Sequence, residues 1–472
     1  MLFNSGHFLI FFPVVVVLYY LLGHRWRWLL LLAASYYFYM SWNPVYITLI
    51  LFSTCVDYWS GWQMGKAPTK RARKPWLWLS IAANLGLLGF FKYFNFFIDN
   101  VNYLSGAELQ YMKFLLPVGI SFYTFQTLSY SIDIYKGEIK PEKHFGRFAL
   151  FVSFFPQLVA GPIERAKNLL PQFRRKVEFS VLNFTSGGKR IIWGLFKKVV
   201  IADNVAILVD HVYASPESFG STSLLVASYL FAFQIYCDFS GYSDIAIGTA
   251  KILGFDLMEN FRTPYLSRSI REFWSRWHIS LSTWFRDYVY IPLGGSKNGV
   301  VMWQINLLIV FAVSGLWHGA AWTFVVWGVL HGGYLMIENL INRKPWFGRY
   351  MKSKGIAKWA GIVLVFHLVL LGWIFFRAED MRDAWAVLCG IGQLDFGGFL
   401  AEGFPRGTFK SWWLIRAAII IAFFILDTPI SKIVIGQKIA PVWIKYGLFA
   451  TLLAATLIFG NWGEVAFLYF QF

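Results

Sequence analysis

The chain has 472 residues, 57% of them hydrophobic and only 14% charged, where an ordinary soluble domain carries roughly 25% charged residues. A water-facing surface cannot be made from that supply, which excludes a soluble globular enzyme and points to an all-α polytopic membrane protein. The formal charge of +18, from 43 Lys plus Arg against 25 Asp plus Glu, reads as the basic bias of cytoplasmic loops, so no nucleic-acid partner is expected.

Taken in chain order, the first apolar run, 8–22, has no basic residue before it and no small-residue cleavage site after it, and reads as a first span rather than a removable leader. Further runs at 28–42, 43–60, 76–97, 110–130, 191–212, 221–252, 301–317, 320–340, 359–377, 411–427 and 446–460 complete an expectation of roughly 10–12 transmembrane helices. The connector 61–75 carries Lys66, Lys70, Arg71, Arg73 and Lys74, and the connector 341–358 carries Arg343, Lys344, Arg349, Lys352, Lys354 and Lys358; both are expected on the cytoplasmic side. The loop 378–410, with Glu379, Asp380, Asp383, Asp395 and Glu402, is expected on the opposite side. Between basic stretches, 148–162 contains Pro156 and a Gly161-Pro162 pair that resist a straight helix, and a re-entrant hairpin is expected there. The 23 Trp and 24 Tyr suit contact with membrane lipids at the interface. Cys55, Cys237 and Cys389 form no motif. With no internal repeat or detachable soluble part, 1–472 reads as one integral membrane domain whose motifs concentrate at about 110–340.

Two stretches carry chemistry. The segment SIREFWSRWHISLSTWFRDYVYIPLGG (269–295) places Ile270, Phe273, Trp274, Trp277, Leu281, Trp284 and Tyr288 on one helical face, and Arg271, Ser275, His278, Ser282 and Arg286 on the other. It reads as an amphipathic interfacial helix. Either its arginines reach lipid headgroups, or Arg271, His278 and Arg286 line an entrance for an anionic acyl donor, because guanidinium groups grip phosphates. The segment VSGLWHGAAWTFVVWGVLHGGY (313–334) holds two histidines in an apolar stretch. A titratable group at membrane depth is a functional candidate. His318 has small neighbours and Trp322 one turn on. His331, 13 residues later, falls on the far side of a continuous helix and is expected to hydrogen-bond a neighbouring helix. Asp238 and Asp244 either serve a proton path or pair with Arg262 or Arg268. No phosphate-binding glycine loop, no HExxH pair and no GxSxG elbow is present, so neither a metal nor a bound cofactor is expected.

Six motifs together resemble the membrane-bound O-acyltransferases, in particular the bacterial alginate O-acetylation type, with teichoic acid D-alanyltransferases more distant. They are SFYTFQTLSYSIDIYKG (121–137), FPQLVAGPIERA (155–166), YCDFSGYSDIAIGTAKILGF (236–255), NFRTPYLSRSIREFWSRWHISLSTWFRDYVYIPLGG (260–295), GLWHGAAWTFVVWG (315–328) and GWIFFRA (372–378). The resemblance implies that His318 is the family's catalytic histidine and His278 its second functional histidine. It implies a helical core with re-entrant and interfacial helices, sited in a bacterial inner membrane.

The activity expected from this is O-acetylation of an exported or cell-wall polysaccharide. Acetyl-coenzyme A, or another acyl thioester, is the expected cytoplasmic donor, and a separate extracytoplasmic acetyltransferase protein is the expected partner. Neutral His318 acts as general base, while Arg271, Arg286 and Trp322 hold the donor. Two alternatives stay open: acyl transfer to a protein, lipid or teichoic acid, including D-alanyl transfer, and a transporter or flippase without chemistry.

Overall fold

The computed structural model describes residues 1–112, 115–395, 410–434, 441–463 and 465–468. Among them there is no strand, and the helices run α1 (Gly6–Leu21), α2 (His24–Met40), α3 (Ile47–Lys66), α4 (Lys70–Leu88), α5 (Phe94–Ser105), α6 (Ile120–Lys136), α7 (Phe145–Ser153), the single turn α8 (Ala166–Leu169), α9 (Val181–Leu195) and α10 (Asp203–Tyr213). They continue with α11 (Ser221–Ile252), α12 (Ile270–Arg276), α13 (Ile279–Phe285), α14 (Gly299–His318), α15 (Trp322–Ile341), α16 (Pro345–Lys352), α17 (Ile356–Arg377), α18 (Met381–Gly392), α19 (Lys410–Val434) and α20 (Val442–Phe459).

Six helical stretches among the described residues are long and apolar enough to cross a membrane: Lys70–Ser105, Ser221–Ile252, Gly299–His318, Trp322–Ile341, Ile356–Arg377 and Val442–Phe459. That is fewer than the sequence led us to expect. Within the run 110–130, α6 begins at Ile120 and is buried along nearly its whole length. The run 191–212 is split between α9, a π-helical stretch Phe196–Ala202 that carries the buried Lys197 and Lys198, and α10. In the acidic loop 378–410, residues 396–409, Glu402 among them, lie outside the described residues, as does the Arg349 side chain.

Packing divides the chain into two compact units, Met1–Ile191 with Tyr242–Glu259, and Ile192–Gly241 with Asn260–Phe472. The first unit buries polar groups against one another. Asp57 on α3 is fully buried. Its carboxylate accepts from the Ser80 hydroxyl at 2.5 Å and from the Asn84 amide at 3.0 and 2.9 Å, both on α4. The Ser131 hydroxyl lies 2.8 Å from that of Ser80 and Thr127 donates to Asn84, which ties in α6. Gly61 lets α3 and α6 approach, since a Cβ there would stand 2.9 Å from the Tyr130 ring. Across 148–162, where a hairpin is expected, a short helix, α7, is followed by turns, and residues 148–166 are all buried. Its irregular backbone is satisfied from within: the Gln126 amide donates to the Phe151 carbonyl, and the Phe155 N–H donates to the Ser35 hydroxyl. Non-helical backbone at such depth survives only when protein supplies the partners.

The second unit is built on aromatic rings. Trp193, Phe273, Trp277, Trp327, Trp373 and Phe376 sit in one buried cluster. Lipid is as apolar as these rings, so close fit and dispersion, rather than escape from water, hold such a core together. The carboxylates noted in 238–248 pair with partners other than Arg262 and Arg268. Asp238 lies 2.6 Å from Lys198 in the second unit, and Asp244 lies 2.8 Å from Arg190 in the first.

Candidate functional site

The segment 269–295 is not one amphipathic helix. α12 ends at Arg276, Trp277 turns extended, and His278 adopts a left-handed conformation with φ 42° before α13 begins. Asn260 splices the break: its carbonyl accepts from the Ile279 N–H at 3.0 Å and its side-chain oxygen from the Ser280 hydroxyl at 3.0 Å. The effect is to turn Trp277 and His278 inward, with His278 at 0% exposure. His278 therefore does not share a face with Arg271 and Arg286, because the helical periodicity that put it there stops one residue before it.

A second break lies between α14 and α15. His318 is the last residue of α14, and α15 resumes at Trp322. Glycines bring the two helices into backbone contact: a Cβ at Gly315 would strike the Phe324 carbonyl, and one at Gly328 the Phe311 carbonyl. A Cβ at Gly319 would fall into the Phe324 ring. The separate runs expected at 301–317 and 320–340 thus pack as a hairpin, and both imidazoles lie against one indole, Trp327, at 4.9 and 5.1 Å between ring centroids.

These two breaks bring His278 and His318 together, with ring centroids 6.2 Å apart. His318 is 3% exposed. Its ring meets Trp317 and Trp327 at 4.9 Å and Phe376 at 5.4 Å, and the His278 ring meets Phe239 at 4.6 Å. Burial holds His278 well below the ordinary imidazole range, so it stands neutral at neutral pH. The small neighbours read from the sequence do not surround His318; aromatic rings do. Trp322, expected to help hold the donor, opens α15 and is 55% exposed. Phe239, Trp327 and Phe376, which sequence reasoning did not single out, stand inside the quoted motifs with Trp317.

Arg271 and Arg286 do share a cavity. It measures about 350 Å³ and is lined by both arginines with Ser282, Trp303, Phe311 and Ser314 among others. His278 and Trp322 are not in its lining. Ser314 stands one helical turn, about 6 Å, before His318 on α14. Neither arginine is a bare cation: Arg271 donates from Nη2 to the Asn339 side-chain oxygen, and Arg286 lies 2.8 Å from Asp287. Both side chains stay more than half exposed. Among the described residues no group of histidine, cysteine or carboxylate side chains could hold a metal ion.

Apolar helices that bury a pair of imidazoles among aromatic rings, one turn from a cavity rimmed by arginines, define a multi-pass membrane protein with a buried histidine centre. The chain belongs to the membrane-bound O-acyltransferase family, whose profile matches residues 31–344. It is 41% identical over 435 residues to the probable alginate O-acetylase AlgI of Pseudomonas aeruginosa, which covers 90% of this chain and 81% of that protein. It is 36% identical over 425 residues to the peptidoglycan O-acetyltransferase of Helicobacter pylori, covering 83% and 80%. To the teichoic acid D-alanyltransferase of Bacillus subtilis it is 29% identical over 277 residues, covering 56% and 69%. The protein is an O-acyltransferase, which removes a transporter without chemistry from the alternatives.

Proposed function

We propose that this chain is the membrane O-acetyltransferase of a polysaccharide-modifying system in a bacterial inner membrane. It takes the acetyl group of acetyl-coenzyme A on the cytoplasmic side and passes it across the bilayer toward an exported or cell-wall polysaccharide. A separate extracytoplasmic acetyltransferase completes the transfer. The observation that carries this reading is the meeting of His278 and His318, 40 positions apart in the numbering, at 6.2 Å in a buried chamber. The names of the relatives at 41% and 36% identity support acetyl over other acyl groups and a glycan as acceptor.

In this reading His318 removes the proton of an acceptor hydroxyl as its oxygen attacks the thioester carbonyl. The tetrahedral intermediate collapses by breaking the carbon–sulfur bond, and the His318 imidazolium returns the proton to the departing thiolate. One ester forms, one thiol leaves, and the histidine ends as it began. General-base work of this kind contributes about 10² to 10⁴ in rate. Neutral His278 donates its N–H to the oxyanion, a role that low-dielectric surroundings strengthen. Arg271 and Arg286 receive the donor's phosphates at the cavity rim, and Ser314 marks the end of the cavity nearer the chemistry. Trp322, outside that cavity's lining, is assigned no phosphate contact.

The test is label transfer by purified protein in detergent, supplied with acetyl-labelled coenzyme A or with a D-alanyl carrier protein, and with or without the extracytoplasmic partner and glycan. Label should leave acetyl-coenzyme A only with the His318 protein and reach glycan only with the partner present. Preferred use of the D-alanyl carrier would overturn the acetyl assignment.

A further inference from the structure

The rim of the arginine cavity is held by two residues that no motif above contains. α12 begins at Ile270, and the first N–H groups of any helix lack partners within it. Here each has one. Ser269 accepts from the Glu272 N–H at 3.1 Å. A single carboxylate oxygen of Glu338, on α15, accepts from the N–H of Ile270 at 2.7 Å and of Arg271 at 3.2 Å. Its other oxygen lies 3.9 Å from the Arg271 Nε. The next residue on α15, Asn339, accepts from the Arg271 Nη2. Glu338 and Asn339 are both buried, while the Arg271 side chain is more than half exposed. Arg271 and Asn339 both line the cavity of about 350 Å³.

We propose that Glu338 and Asn339 are positioning residues for donor recognition, forming a clamp on α15 that sets where the Arg271 guanidinium stands. The inference rests on the reading of that cavity as the donor site. Glu338 fixes the backbone from which Arg271 springs, and Asn339 fixes the end of its side chain through one nitrogen. A guanidinium carries five N–H donors in a planar fork, so the remaining donors stay available to a phosphate. A long, rotamer-rich side chain left loose would lose this orientation on each binding event. The clamp leaves the histidine chamber alone, so its effect falls on capture of the donor and not on the acyl step.

The experiment compares acetyl-coenzyme A with S-acetylpantetheine, a thioester that lacks the nucleotide and its 3′-phosphate and pyrophosphate, in steady-state transfer normalised to folded protein. Glu338→Ala and Asn339→Ala should each raise KM for acetyl-coenzyme A about tenfold with kcat nearly unchanged, the signature of lost uniform binding. KM for acetylpantetheine should not move, and Glu338→Gln, whose amide oxygen still accepts both N–H bonds, should recover most of the affinity. Should Glu338→Ala fail to fold, Asn339→Ala carries the test, since it leaves the cap of α12 intact. If Arg271→Ala raises KM while both clamp variants behave as wild type, the clamp is wrong and the donor site stands. A fall in kcat of the same size with both thioesters would reduce the pair to structural residues and overturn the proposal. If Arg271→Ala itself leaves KM unchanged, the donor site and the clamp fall together.

Discussion

Two groups of buried polar side chains, one in each unit, meet different neighbours. Around Asp57 in the first unit, a carboxylate, an amide and hydroxyls from α3, α4 and α6 pair with one another within 3.1 Å. Around His278 and His318 in the second unit, the neighbours are faces and edges of Phe239, Trp317, Trp327 and Phe376. Directional bonds among helices fix the helices, and a ring packed against a ring fixes the orientation of that ring. If the first group serves the fold and the second the reaction proposed above, substitutions should sort them accordingly.

The largest effect belongs to His318. Replacing it with Asn, which keeps a polar side chain of similar reach, should cut acetyl transfer by about 10² to 10⁴, measured as single-turnover release of label from acetyl-coenzyme A. His318→Ala should lose activity equally but also lower the melting temperature, because the ring fills space between three aromatic neighbours. Transfer by His318→Asn within a few-fold of wild type would place His318 with the groups that only hold the fold. A step smaller, Arg271→Ala and Arg286→Ala should raise the donor KM roughly tenfold to a hundredfold, the effect of losing one charge-assisted contact, with little change in kcat. Equal loss of kcat and of kcat/KM would move the arginines from donor binding to the transition state.

Asp57 should show the reverse pattern. Asp57→Ala strips acceptors from buried Ser80 and Asn84, at a cost of about 1–3 kcal/mol for each donor left unmade, read as a lower midpoint in thermal or denaturant unfolding. Turnover per folded molecule should stay near wild type. A stable Asp57→Ala protein with impaired transfer would erase the distinction between the two units.

Much of the fold was legible in the sequence, and the parts that were not have separate causes. Composition and apolar run length speak for a membrane protein at any resolution, and His318 announces itself as a titratable residue in an apolar run. Partner choice over long separations does not: Lys198 and Arg190, which pair with Asp238 and Asp244, lie 40 and 54 positions away, as Glu338 lies 68 from the Ile270 N–H that it accepts. The break at Trp277 and His278 was hidden for another reason. Periodicity across 269–288 favours one helix, and the left-handed residue is a histidine rather than the glycine that usually marks such a turn. Burial of Trp277 and His278 among aromatic rings overrides the local pattern, and it is this override that assembles the histidine pair. Hydropathy alone does not tell an apolar helix packed in the protein interior, such as α6, from one in contact with lipid.

His331 lies on the boundary between the two classes and should give the smallest effect. The sequence suggested a hydrogen bond to a neighbouring helix, yet among the described residues neither ring nitrogen has a hydrogen-bond partner. The ring packs instead against Phe273, Trp274, Trp327 and Tyr334, and Gly372 on α17 leaves it room, since a Cβ there would come within 2.9 Å of its Nε2. A buried imidazole that makes no internal bond gains nothing from its polarity, and an apolar side chain of similar volume forfeits only part of the shape fit. His331→Leu should therefore change unfolding free energy by no more than about 1 kcal/mol and leave donor KM and turnover close to wild type. His331→Ala, which empties the space between four rings, should cost more stability than His331→Leu. If His331→Leu instead abolishes transfer while its melting curve is unchanged, the ring shared through Trp327 belongs with His318 in the reaction, and the chamber extends one residue further along α15 than the geometry of His278 and His318 alone requires.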